Sequence, residues 1–154
     1  MLEKLELKVP PLLLVIIFLL GIYLLPHSPI FIGPEVHWLH ITGLALTAIA
    51  VLLVLFAVFG FSKEKTTVDP MHPDKTDALV VKGVYRISRN PMYLGFLLLI
   101  VALGLALNTL WLFPLAIVFI LYINRLQIVP EERFLQQKFG DAFTFYCQKV
   151  RRWI

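Results

Sequence analysis

Every lysine and arginine in this chain, fourteen in all, falls within residues 1–9, 62–89 or 125–152. Between these segments lie apolar runs at about 9–25, 39–61, 91–107 and 110–123. A membrane-crossing helix needs roughly 17–25 apolar residues at 1.5 Å rise each. The first three runs qualify, and the fourth is short. Asn108 and Thr109 make a tight turn, so the third and fourth runs read as one helical hairpin. Residues 26–40 and 108–109 contain no Lys or Arg. The positive-inside rule then puts both termini and the long loop in the cytoplasm, an alternation that four spans satisfy. Trp38 and Trp111 fall at the outer interface, where aromatic belts form.

Composition agrees. Of 154 residues, 59% are hydrophobic, more than a soluble domain of this size could bury, so the excess faces lipid. The expected fold is all-α: a polytopic membrane protein of about four transmembrane helices, including a short C-terminal hairpin, followed by cytoplasmic amphipathic helices. Residues 1–154 read as a single domain. The net charge of +4 lies beside apolar spans rather than on a soluble face, which argues against nucleic acid as a partner. Cys147 is the only cysteine, so the chain offers no intrachain disulfide and no Cys-based metal site. The N-terminal run is long, with no small-x-small site after it, and reads as a span rather than a signal peptide.

Polar chemistry gathers at the membrane boundary. In Arg86-Ile-Ser-Arg89-Asn90-Pro91-Met92-Tyr93-Leu94-Gly95 a basic loop becomes a helix. Asn90 suits an N-cap, Pro91 the first helical position, and Tyr93 an interfacial anchor. The same geometry binds anions at free N–H groups, with Arg86 and Arg89 reinforcing the field. Gly95 admits a ligand or a neighbouring helix. After Pro130, Glu131 and Glu132 read as the first turn of a new helix, where carboxylates suit the dipole. Adjacent helical residues point about 100° apart, so one glutamate can meet a ligand while the other braces an Arg. Arg125 either snorkels or holds an acidic substrate group. His27, His37, His40 and His72 read as loop and interface residues without a ligand role. From Glu131 to Trp153 the tail is amphipathic, with Leu135, Phe139, Phe143, Tyr146, Val150 and Trp153 in step and Gly140 dividing two helices.

The order of these motifs is more specific than any one of them. Leu79-Val80-Val81-Lys82-Gly83-Val84-Tyr85 leads into Arg89-Asn90-Pro91-Met92-Tyr93-Leu94-Gly95; an apolar hairpin, Glu131-Glu132, Phe139-Gly140-Asp141 and Tyr146 to Arg152 follow. This resembles the integral-membrane methyltransferases, namely isoprenylcysteine carboxyl methyltransferase and the phospholipid (phosphatidylethanolamine) N-methyltransferases. The likeness covers about residues 59–152, the expected catalytic part. It implies S-adenosylmethionine as cofactor, with contacts carried over onto Asp77, Ala78, Leu79, Val80, Tyr85, Asn90, Pro91, Met92, Tyr93 and Glu131. Asn90 matches the phospholipid enzymes; the isoprenylcysteine enzymes usually have His there. Where eukaryotic isoprenylcysteine enzymes place a substrate Arg, this chain has Gln127, with Arg125 two residues earlier.

The implied reaction is methyl transfer to a lipophilic acceptor, either an isoprenylcysteine-type carboxylate or a lipid amine. Arg125 would hold a carboxylate, and Glu132 or a tyrosine would take a proton from an amine or thiol. The competing readings are an NADPH-dependent membrane reductase of the sterol-reductase type and a non-catalytic membrane subunit.

Overall fold

The computed structural model of the chain describes residues 5–26, 28–33, 36–63 and 78–154. Its order is α1 (Pro11–Leu24), α2 (Val36–Lys63), a 3₁₀ turn (Gly83–Arg86), α3 (Pro91–Ala106), α4 (Leu112–Ile123), a π-turn (Asn124–Ile128), α5 (Val129–Phe139) and α6 (Asp141–Lys149). The described residues contain no strand, only an isolated bridge between Pro29 and Thr109. The expected all-helical membrane fold is what forms.

Two helical stretches are long and apolar enough to cross a membrane, Val36–Ser62 and Leu112–Phe139. Pro11–Leu24 and Pro91–Ala106 are apolar but shorter. The 28 residues of α2 rise about 42 Å at 1.5 Å each, against a hydrocarbon core of about 30 Å. Its outward side chains, Trp38, Leu44, Leu55 and Phe59 among them, are exposed, as a lipid-facing helix requires. In α1 the residues Leu14, Val15, Phe18 and Ile22 turn inward. They meet Tyr93, Phe96 and Ile100 of α3 and Phe119 and Ile123 of α4 in one core. Phe18 and Phe119 cross edge to face there, 5.5 Å between centroids.

Small residues bring α2 and α3 together. In lipid the hydrophobic effect does not drive helix pairing, so close van der Waals contact must. A Cβ on Gly43 would lie 2.7 Å from the Ala102 carbonyl oxygen. One on Gly95 would lie 2.5 Å from Val54 Cγ2 and 3.1 Å from the Ala50 carbonyl. Ala50 and Ala57 are fully buried on the same side of α2. The space at Gly95 therefore admits a helix rather than a ligand.

Outside the bundle, the turn at Asn108 is tied to residues 28–31. Asn108 takes φ +49°, and its Oδ1 accepts the Ile30 and Phe31 N–H groups at 3.0 and 3.1 Å. The fourth apolar run departs from expectation. The helix it forms does not stop near residue 123 but runs on through the π-turn to Phe139, so Glu131 and Glu132 lie in the first turn of α5 as expected but not at a free helix start. A proline normally breaks a helix because it withdraws one donor and crowds the preceding turn; here the widened turn absorbs Pro130. Gly140 does divide the tail, at φ +52°. Phe143, Tyr146 and Val150 of the last helix and its end then pack on Leu79, Leu135 and Phe139. The long-loop expectation for residues 62–89 falls largely on 64–77, which lie outside the described residues, as do His27, His72 and Asp77.

Gly43→Ala places a methyl group against backbone that cannot rotate away. Overpacking of this kind costs about 1–3 kcal/mol. We expect the Tm in detergent to fall by about 2–4 °C per kcal/mol, while Leu55→Ala on the lipid face leaves it nearly unchanged. Equal Tm values for the two variants would rule out close α2–α3 contact.

Candidate active site

The polar residues at the foot of α3 are spoken for by the tail. Asn90 does not cap with its side chain: it stands at φ −126°, ψ 56° with no side-chain cap bond. Its Nδ2 donates to the Arg152 carbonyl at 3.0 Å, and Ser88 Oγ accepts the Asn90 N–H at 3.1 Å. Pro91 does hold the first helical position, and the Leu94 N–H makes the first helical bond to the Asn90 carbonyl at 3.0 Å. Arg89 reaches further. Its backbone N–H meets the Arg151 carbonyl at 3.0 Å, and its Nη1 meets the Val150 and Cys147 carbonyls at 2.8 and 3.3 Å.

The glutamate pair divides its work as adjacent helical residues must. Glu132 is braced from two sides: Arg89 Nη2 lies 2.7 Å from Oε1, and Arg152 Nη2 lies 2.6 Å from Oε2. Arg152 Nε also donates to Oε1 at 3.3 Å. Both oxygens are occupied, which corrects the expectation that Glu132 takes a proton. It narrows the anion-field reading of Arg89 to its Nε, because both terminal nitrogens of that guanidinium are already paired. Arg86 is exposed. Glu131 faces elsewhere and accepts the hydroxyl hydrogen of Tyr93.

Beside that pair lies an aromatic wall. Tyr85, buried in the 3₁₀ turn, packs with Ala57 and Val80 and crosses Phe61 edge to face at 5.4 Å. Met92 touches both this cluster and the main core. Leu79 belongs to the α6 cluster, and Ala78 is half-buried. Tyr146 closes the assembly from α6 by donating its hydroxyl to the Tyr85 carbonyl at 2.7 Å. Burial raises both phenols, Tyr85 and Tyr146, above their ordinary values, so they stay neutral and cannot serve as phenolate bases.

The fold thus gathers Leu79, Val80, Tyr85, Met92, Tyr93 and Glu131 into one neighbourhood. It does not bring Arg125 and Gln127 there as an open pair. Arg125 Nη1 is bound to Glu6 at 2.6 Å, and the buried Gln127 donates Nε2 to the Val9 carbonyl at 2.6 Å. Reasoning from the sequence missed Arg152 and Glu6 as partners. The only available signal was the bare charge of Arg152 in an otherwise amphipathic tail; Glu6 had none.

Residues 38–142 match the phospholipid methyltransferase family. An uncharacterized protein of Haemophilus influenzae is 48% identical over 63 residues, which is 41% of this chain and all of that relative. A probable protein-S-isoprenylcysteine O-methyltransferase of Oryza sativa subsp. indica is 33% identical over 70% of this chain and 56% of its own length. Protein-S-isoprenylcysteine O-methyltransferase B of Arabidopsis thaliana is 30% identical over 78% of this chain and 61% of its own. The chain therefore spans less than two thirds of these plant relatives. No solved structure matches it. The family match extends over well more than half of the chain, from the second helix through Glu131 and Glu132 to the start of α6: the protein belongs to the phospholipid methyltransferase family.

Proposed function

We propose that this chain is an S-adenosylmethionine-dependent methyltransferase acting on a lipophilic acceptor presented from the bilayer. The observation that carries the reading is the Tyr93–Glu131 pair, a carboxylate left outside the arginine brace and set beside the Tyr85–Val80 wall. The residues suit the cofactor's chemistry. A sulfonium or ammonium is attracted to aromatic faces and to a carboxylate. The first N–H groups of α3 and the buried, unpartnered Nε of Arg89 are donors for an anionic group. Glu131 would take the ammonium or the ribose hydroxyls, and Tyr85, Met92, Tyr93, Leu79 and Val80 would flank the rest. Asp77 keeps its proposed contact as a residue outside the described part of the chain.

When bound, S-adenosylmethionine would supply an electrophilic methyl group for an oxygen or nitrogen of the acceptor, and Glu131, Tyr85 and Tyr93 would hold it. The protein's share is alignment and exclusion of water, and well-oriented pairs reach effective molarities on the order of 10⁵ M or more. A site at the membrane edge gives both, with a polar face toward the cytoplasm and an apolar face toward lipid. The acceptor is an isoprenylcysteine-type carboxylate, by likeness to the plant relatives, or a lipid amine, by likeness to the family. Arg125 and Gln127 remain its proposed contacts, with Arg125 half-exposed beside Glu6. Both termini and the site face the cytoplasm under this reading, and about 59–152 form the catalytic part.

The deciding experiment is transfer of labelled methyl from S-adenosylmethionine to a lipid extract, with titrations of S-adenosylmethionine and NADPH in detergent. Binding of NADPH alone would overturn the proposal. Glu131→Gln keeps an acceptor for Tyr93 but removes the ionisable carboxyl group. We expect at least a tenfold weaker S-adenosylmethionine Kd at unchanged Tm, because a hydrogen bond to a charged group is worth about 1.5–3 kcal/mol. Unaltered affinity would reduce Glu131 to a structural residue. For sidedness, we expect Ile32→Cys in a Cys147→Ser background to react with an impermeant thiol reagent on intact cells. Arg86→Cys should react only after permeabilisation; the reverse pattern would invert the topology.

A further inference from the structure

Pro130 has no N–H, so the Leu126 carbonyl lacks the donor that an α-helix would supply four residues on. In lipid such a carbonyl must find another partner. It accepts the N–H of Leu7 at 3.0 Å. The neighbouring contacts come from the same short segment. Glu6 lies between Arg125, at 2.6 Å, and Arg133, at 3.1 Å, and the Val9 carbonyl accepts Gln127 Nε2 at 2.6 Å. Leu7 itself stands at φ +56°, a left-handed conformation costing a leucine about 1–2 kcal/mol. Strain of this kind persists only where surrounding contacts over-determine it. Residues 6–9 therefore form a strap clasped on the π-turn.

That turn sets the aim of the glutamates below it. Phe119 and Ile123 face the core four residues apart, and the next residue of that core is Ile128, five further on. One extra residue rotates everything after it by about 100°. An unbroken α-helix with Phe119 and Ile123 inward would leave Glu131 about 100° to the side of that stripe. With the π-turn, Glu131 comes under the same stripe and meets Tyr93, which belongs to that core.

We propose that Glu6 is a positioning residue: by clasping Arg125 and Arg133 it holds the π-turn, and so holds Glu131 in register with Tyr93. Only the cofactor readout of its test rests on the function proposed above. The first measurement needs no ligand. 3-Fluorotyrosine at position 93 is followed by ¹⁹F NMR in the full chain, with Glu131→Gln giving the resonance of an altered pair. Glu6→Ala should shift the resonance away from wild type, and Glu6→Asp should return it most of the way. A Glu6→Ala resonance at the wild-type position would overturn the proposal. If Glu6→Ala does not fold, Glu6→Gln, of equal size, takes its place in both measurements.

The second measurement is S-adenosylmethionine affinity. Glu6→Ala should weaken it about threefold to tenfold in the native background and less than twofold in the Glu131→Gln background, as coupled sites behave. Equal loss in both backgrounds would mean that Glu6 acts through something other than Glu131, and the proposal would fall. If the wild-type chain binds no S-adenosylmethionine, the functional reading fails while the fluorine measurement still decides the role of Glu6.

Discussion

One guanidinium at the foot of α3 holds three parts of the chain in register. Arg89 reaches the carbonyls at the end of α6 and the carboxylate of Glu132, and its backbone N–H meets Arg151. Arg152 closes the other side of the same carboxylate. The Arg89–Glu132 pair is largely buried, at 14% and 20% exposed, so removing one partner would strand charge away from full solvation. Because this network fixes the tail against the start of α3, it also fixes Tyr146 over Tyr85. Tyr146 then adds its hydrogen bond to a wall that Tyr85 already forms with Ala57, Phe61 and Val80 of the second helix and the loop after it.

Backbone accounting explains the rest of the architecture. In a membrane each buried carbonyl and N–H must be matched within the protein. The turn between α3 and α4 meets this demand through Asn108, which bonds residues 30 and 31 with both its carbonyl and its amide group. The π-turn meets it through Leu7 at the carbonyl that Pro130 leaves free. Both junctions recruit a sequence-distant segment, so the helices are fastened at each end as well as along their apolar faces. Gly43, Gly95, Ala50 and Ala102 supply close approach in between.

Much of the candidate site could be read directly. Pro91 starts α3 and Gly140 ends α5, because a fixed φ and a tolerated positive φ are properties of single residues. The tail's stripe of Leu135, Phe139, Phe143, Tyr146 and Val150 became a buried cluster, because helical periodicity is a local pattern. Asn90 holds the N-cap position as expected, but its side chain does not cap, for an instructive reason. Its type is ideal for capping, yet the Arg152 carbonyl, 62 residues away in sequence, competes for the same side chain. Pro130 was misread in the opposite direction, since its power to break a helix was cancelled by a turn and a strap that no local pattern reveals.

By itself the sequence determined that this chain is a bundle of membrane helices, that Pro91 begins one of them, and which segments carry polar chemistry. Hydropathy, proline and glycine act over a few residues and need no tertiary partner to take effect. Only the tertiary structure decided which of two adjacent glutamates is braced and which is left to Tyr93. That choice depends on a rotation of about 100° introduced at the π-turn and on arginines brought in from positions 89 and 152. Orientation about a helix axis and contact across more than a hundred residues, as between Glu6 and Arg125, are properties of packing, and packing is written in no single stretch of chain.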